Sequence, residues 1–137
     1  MEKVIFGNHA AVMVRHQERD AIRKFYGDVL GCKTAKEFTE LASQGGMPKD
    51  IFHLADNFVI VFLYGDFDDQ NEFLRSGRAM YLELKSDNVD ATRKKIIDFG
   101  AKVIEIPDPH FYFQAPGGQV FKLVGIDEDL SVYEGST

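Results

Sequence analysis

The sequence LGCK at residues 30–33 returns as FGAK at 99–102. Each closes an amphipathic run with a glycine and opens an extended one, the pattern of a helix stopped by a left-handed residue before a strand. The echo belongs to a longer correspondence. VIFGNHAAVMV at 4–14 reads as a strand, with Ala10, Val12 and Val14 on one face and His9, Ala11 and Met13 on the other. In ERDAIRKFYGDVLG, the residues Ile22, Phe25, Tyr26, Val29 and Leu30 recur at helical offsets, which predicts an amphipathic helix of about three turns. Three strands follow, in CKTAKEFT, IFHLAD and FVIVFLYG, with a polar turn at SQGGMPKD.

After an acidic connector, DFDDQNEFLRSGR, the order repeats. AMYLELKS is a strand. DNVDATRKKIIDFG is a helix with Asp87 or Asn88 as N-cap and Gly100 as its stop, and KVIEI, HFYFQA and QVFKLVGI are strands separated by PDP and PGG. The predicted fold class is therefore α+β: two tandem βαβββ units, at 4–65 and 79–126, forming a curved mixed sheet around a cleft. The segment 66–78 joins them, an acidic tail follows, and the whole of 1–137 is expected to form a single domain.

A sheet covered by one helix leaves its other face bare, and two such units can turn their bare faces toward a shared cleft. That gives the polar side of AMYLELKS a destination. Leu82 and Leu84 face the core, while Tyr81, Glu83 and Lys85 face the cleft.

Charge narrows the partners. The net charge is −6 and the sixteen Lys and Arg form no long run, so phosphate neutralisation along a nucleic acid is not expected. The apolar stretch near the N-terminus is short and contains His9, which fits neither a signal peptide nor a membrane span. With Cys32 as the one cysteine, no internal disulfide forms and a cytoplasmic location is expected. Cys32 itself reads as a small buried residue rather than a nucleophile. P-loop, GxGxxG, HExxH and GxSxG motifs are absent, and PGGQ at 116–119 leads into a strand, so it reads as a turn and not a phosphate cradle.

HAAVMV, RKFYGDVLGCK, DNVDATRKKIIDFGAKV and FYFQAPGGQVFKLV together resemble the vicinal oxygen chelate superfamily, which includes glyoxalase I, extradiol dioxygenases, and fosfomycin- and bleomycin-resistance proteins. FYFQAPGG resembles the family's FYFxDPDG turn. The resemblance spans about residues 5–125 and is more specific for fold than for chemistry.

The resemblance implies metal ligands at four strand positions, one on the first and last strand of each unit. Transferred to this chain they fall on His9, Val61, Tyr81 and Lys122, and only His9 is of the usual ligand type. FVIVFL around Val61 is apolar throughout, and an ammonium at Lys122 would repel a cation by about 4 kcal/mol per unit charge product at 4 Å and an effective dielectric near 20. No metal and no other cofactor is expected. A displaced metal site of His9, His53 and Glu83 is the alternative.

The expected ligand-binding residues are His9, His53, Tyr81, Glu83, Tyr112 and Lys122, with no catalytic residue assigned. Lys122 is expected to pair with Glu83 or to hold an anionic ligand group, and Tyr112 with His110 to stack on a planar ligand. The leading expectation is a metal-independent protein that sequesters a drug or metabolite, as the bleomycin-resistance branch does. The alternative is an enzyme of the same superfamily: a metal-dependent glyoxalase, dioxygenase or thiol transferase, or a metal-independent isomerase or lyase using Glu83 as base. A third is an interaction module using DFDDQNE and the tail DEDLSVYEGST. A homodimer is expected, with neither nucleic acid nor membrane as partner.

Overall fold

β1 (His9–Arg15) alternates as its sequence demands, with Val14 fully buried and His9 and Ala11 exposed. The computed structural model describes residues 3, 7–34, 48–66 and 80–129. Contacts divide the chain into unit 1, Met1–Arg78, and unit 2, Ala79–Thr137.

In unit 1, a 3-10 turn (His16–Glu18) leads into α1 (Arg19–Arg23), which widens into a π-type turn at Lys24–Val29. The expected regular helix is thus present but not uniform. Leu30 N–H reaches back to Phe25 O at 2.9 Å, and Cys32 N–H donates to Tyr26 O at 2.8 Å. Phe25 and Tyr26, consecutive in this turn, are both fully buried.

Both rings are used by the core. Tyr26 stacks on Phe52 at 5.3 Å and meets Phe62 at 4.9 Å between ring centroids, which fastens the helical segment to β2 (Lys49–Ala55) and β3 (Phe58–Gly65). The sheet order is β1-β3-β2, with β1 parallel and β2 antiparallel to β3. Of the expected strand CKTAKEFT at 32–39, Thr34 bridges Phe52 and Lys33 O accepts from His53 N–H at 2.9 Å. Residues 35–39 lie outside the described residues, as do residues 4–6, residues 43–47 of the expected turn SQGGMPKD and all of the connector beyond Asp66; Lys49 and Asp50, expected to end that turn, open β2 instead.

Unit 2 repeats the plan. β4 (Tyr81–Ser86) precedes α2 (Val89–Phe99), and β5 (Lys102–Ile104), β6 (Phe111–Gln114) and β7 (Val120–Gly125) complete a sheet ordered β4-β7-β6-β5. Asn88, rather than Asp87, is the N-cap: its Oδ1 accepts from Ala91 N–H at 3.1 Å. Gly31 and Gly100, the two glycines of the sequence echo, have φ of 72° and 96°, the left-handed conformation that costs other residues about 1–2 kcal/mol. PGG makes the β6–β7 hairpin turn, closed by Ala115 N–H to Gln119 O at 2.8 Å.

In both units the first strand runs parallel to the last, and the registers match. His9 pairs with Val59 as Tyr81 pairs with Val120. Ile60, Phe62 and Tyr64 in unit 1, and Phe113, Phe121 and Leu123 in unit 2, fill the cores. Phe58 is half-buried at the start of its strand. The architecture is α+β with mixed sheets, as the repeat predicts. Among the described residues no helix is long and apolar enough to cross a membrane.

Candidate functional site

Strand pairing aligns a polar row across unit 2: Glu83 on β4 is opposite Lys122 on β7, which is opposite Tyr112 on β6. Side chains two apart share a sheet face, so Tyr81 belongs to the same face. Tyr81, Glu83, Tyr112 and Lys122 therefore share one face of the unit 2 sheet.

Lys122 is the unusual member. Its side chain is only 7% exposed, and its Nζ lies 4.0 Å from Glu83 Oε1. That distance allows Coulomb attraction but exceeds a hydrogen bond. Its other partner is the Tyr81 ring, 5.9 Å from Nζ to the centroid, at the outer range of a cation–π contact. Among the described residues the three ammonium donors meet no hydrogen-bond acceptor. Burying an ammonium costs several kcal/mol, and a carboxylate at this separation returns about 4 kcal/mol. The pair contributes little to stability and leaves directed hydrogen-bonding capacity on the face.

Aromatic rings flank it. Tyr81 and Tyr112 meet edge to face, 5.4 Å between centroids at 86°. Tyr81 is 43% exposed and Tyr112 is buried. The Tyr112 hydroxyl donates to Asp108 Oδ2 at 2.9 Å. Asp108 Oδ1 accepts from the His110 backbone N–H at 2.8 Å and contacts His110 Nδ1 at 2.6 Å, while His110 Nε2 lies 3.3 Å from Glu128 Oε2. The His110 backbone and ring, with Tyr112, hold the Asp108 carboxyl down at about 2.

His110 is thus engaged by two carboxylates, and it acts on Tyr112 through Asp108. Asp108 and Glu128 were not anticipated, because PDP reads as a turn and DED as tail. The available signal was an Asp two residues before a His, the spacing of an Asp side chain closing on its own backbone. Residues 130–137 lie outside the described residues.

In unit 1, His9 and His53 occupy one sheet face, but β3 runs between their strands and Val59 pairs with both. Two strand spacings of about 4.8 Å separate their backbones. His53 also lines a concavity of about 520 Å³ with Leu30, Gly31, Cys32, Lys33 and Asp56. Burial pushes the Cys32 thiol up to about 11, which leaves it protonated and unreactive at neutral pH.

The residues at the four family positions do not fit a divalent cation. Val61 carries no donor atom and Lys122 carries a positive charge in place of a lone pair. Tyr81 and Lys122 are diagonal neighbours on paired strands, as are His9 and Val61 in unit 1. Among the described residues no group of three or more His, Cys, Asp or Glu is placed to hold a metal ion.

A second charged cluster escaped the sequence reading. Asp50, buried on the helix-facing side of β2, accepts from Arg23 Nε and Nη2 at 2.9 Å each, from Arg19 Nε at 3.3 Å and Nη2 at 3.2 Å, and from the Tyr64 hydroxyl at 2.9 Å. Arg19 also lies 4.7 Å above the Tyr64 ring. The helical spacing of Arg19 and Arg23 was the signal. The cluster ties α1 to the sheet.

Comparison with known proteins agrees with this architecture. The model of the Glyoxalase/Bleomycin resistance protein/Dioxygenase superfamily matches residues 8–117. An integron cassette protein from the mobile metagenome of V. cholerae is similar at 20% identity, covering 93% of this chain and 99% of its own, with a TM-score of 0.60. A cassette protein from V. pseudocholerae gives 18% identity, coverage of 93% and 99%, and a TM-score of 0.59. A lactoylglutathione lyase from Agrobacterium tumefaciens gives 16%, 91% and 96%, and 0.54. At these identities the structures speak for the fold. No functionally curated protein matches. By the family match over most of its length, with both βαβ-type units in register, this chain belongs to the glyoxalase/bleomycin resistance protein/dioxygenase superfamily.

Proposed function

We propose that this protein binds a small organic molecule on the polar face of the unit 2 sheet without a resident metal ion, and that it sequesters a drug or metabolite. The observation that carries the reading is Lys122. A buried ammonium whose donors are not hydrogen-bonded within the described residues suits a ligand acceptor, and its charge replaces the metal ligand expected there. Tyr81, exposed and braced edge to face by the buried Tyr112, supplies the aromatic surface that small-molecule sites favour. In unit 1, His9 and His53 are assigned to ligand contact on their own sheet face.

The test is a thermal-shift and calorimetric screen of protein purified without chelators, against glycopeptide antibiotics and small aromatic metabolites. Stabilisation that is lost in Lys122→Met supports the reading. No stabilisation by any compound, or a stoichiometric transition metal in the purified protein, overturns it.

The Glu83–Lys122 pair favours one second reading. A carboxylate 4.0 Å from an ammonium has the groups for metal-independent proton transfer, Glu83 taking a proton beside a carbonyl polarised by Lys122. Turnover of a carbonyl substrate abolished by Glu83→Gln would favour an isomerase or lyase. A cytoplasmic homodimer is part of the proposal. Light scattering across a concentration series tests the dimer.

A further inference from the structure

We infer that the Glu83–Lys122 pair selects an uncharged ligand edge carrying one acceptor beside one donor, such as a carboxamide or lactam attached to an aromatic ring. The inference rests on the binding reading above and specifies its ligand class.

Three observations support it. First, the two side chains are opposite one another on paired strands, 4.0 Å apart, and neither is hydrogen-bonded to any side chain within the described residues. Lys122 offers donors only and Glu83, ionised, acceptors only. A group that satisfies both presents C=O to Nζ and N–H to the carboxylate, side by side.

Second, the pair is charge-balanced. A ligand carboxylate would face Glu83 as well as Lys122, and a ligand cation would face Lys122 as well as Glu83, so either adds a like-charge contact. An uncharged amide adds none. Third, depth is graded. Lys122 is buried, whereas Glu83 and Tyr81 are exposed. The ligand enters edge first beside Tyr81, the acceptor goes deepest, and the ring stays against the Tyr81–Tyr112 pair.

The experiment uses matched probes on the full chain: benzamide, benzoate and N,N-dimethylbenzamide, titrated to millimolar concentration with amide and side-chain chemical shifts as readout. Benzamide is expected to shift Tyr81, Glu83, Lys122 and Tyr112, and to bind roughly tenfold more tightly than either analogue, about one hydrogen bond's worth of discrimination. In Glu83→Gln the preference should invert, because benzoate then meets an uncompensated ammonium. Lys122→Met should lose both. Circular dichroism confirms that each variant is folded, and the Glu83→Gln inversion is a gain that misfolding cannot produce.

If benzoate binds the unaltered chain more tightly than benzamide, at the same residues, the edge assignment is overturned while the binding site stands. If benzamide and N,N-dimethylbenzamide bind equally, the donor half is overturned. If none of the three probes perturbs these residues, both the edge assignment and the site fall.

Discussion

Arg23 grips Asp50 with two parallel hydrogen bonds, Nε to Oδ2 and Nη2 to Oδ1, both 2.9 Å. Arg19 duplicates the grip at slightly greater length, so one buried carboxylate fastens two successive turns of helix. Asp50→Ala is expected to cost about 3 kcal/mol, since it removes the shared acceptor of a partly buried network; the half-exposed Arg23 side chain relieves some of the loss by reaching water. Urea unfolding at pH 7 measures it. A change below about 1 kcal/mol would mean that the helix is held by its aromatic contacts alone.

Acid should erase that difference. Burial pushes the Asp50 carboxyl up, but hydrogen bonds from Arg23, Arg19 and Tyr64 outweigh it and hold the group below its ordinary value. A depressed carboxyl contributes stability above its unfolded pKa, about 3.9. That contribution is lost as pH falls through the lower folded value. The gap between the unaltered protein and Asp50→Ala should be constant from neutral pH to about 5 and narrow below about 4. A gap unchanged at pH 3 argues against ionic anchoring. Asp108, held at about 2, shifts in the same direction, and a carboxyl-carbon titration of Asp108 should still show it ionised at pH 3.

Lys122 and Glu83 should respond with opposite signs. Lys122→Met removes a poorly satisfied buried ammonium and leaves Glu83 with access to water, so stability is unchanged or rises by up to about 1 kcal/mol. Glu83→Gln leaves that ammonium without a counter-charge and should cost about 1–2 kcal/mol. Paired thermal and chemical denaturation decides the point. Losses of equal size in both would mark an ordinary stabilising ion pair.

At the ends of α2, two substitutions should each cost about 1 kcal/mol for different reasons. Asn88→Ala deletes the cap on Ala91 N–H, and Gly100→Ala forces a side chain into φ 96°. Nothing lies near enough to Gly100 for a methyl group to clash, so conformation alone supplies the second penalty. The sum of the single losses should match the double variant, because the two sites are a helix apart.

Cys32 should be slow toward iodoacetamide at pH 7.5 and accelerate with each unit of pH up to about 11, where burial has moved its thiol. A rate plateau near pH 8.5 would show an ordinary, solvated thiol.

Much of this was legible in the chain. The repeat could be read because its signals are local: Gly31 and Gly100 stop helices by backbone conformation, and the alternation of Tyr81, Leu82, Glu83 and Leu84 survives intact in the sheet. The cross-strand meeting of Glu83 with Lys122 followed from alternation plus the family's strand order. Asp50 was not legible, since its value lies in Arg19 and Arg23, about thirty residues upstream, and only the fold brings them together. The π-type turn was hidden as well, because apolar residues at helical offsets do not distinguish it from a regular α-turn. That β3 lies between the strands of His9 and His53 was hidden too, because spacing along the chain says nothing about which strand lies between.

The parallel union of β1 with β3, and of β4 with β7, also governs how the chain can be made. An opening strand bonded to its unit's final strand has no sheet partner while the intervening residues are still being synthesised. Unit 1 must wait for Gly65 and unit 2 for Gly125 before either ladder can close, so loop-closure entropy is met late and all at once. On a ribosome, β1 therefore emerges as an apolar segment in need of protection, and slowing translation once residue 65 has cleared the exit tunnel should raise the yield of folded unit 1 more than slowing it anywhere earlier.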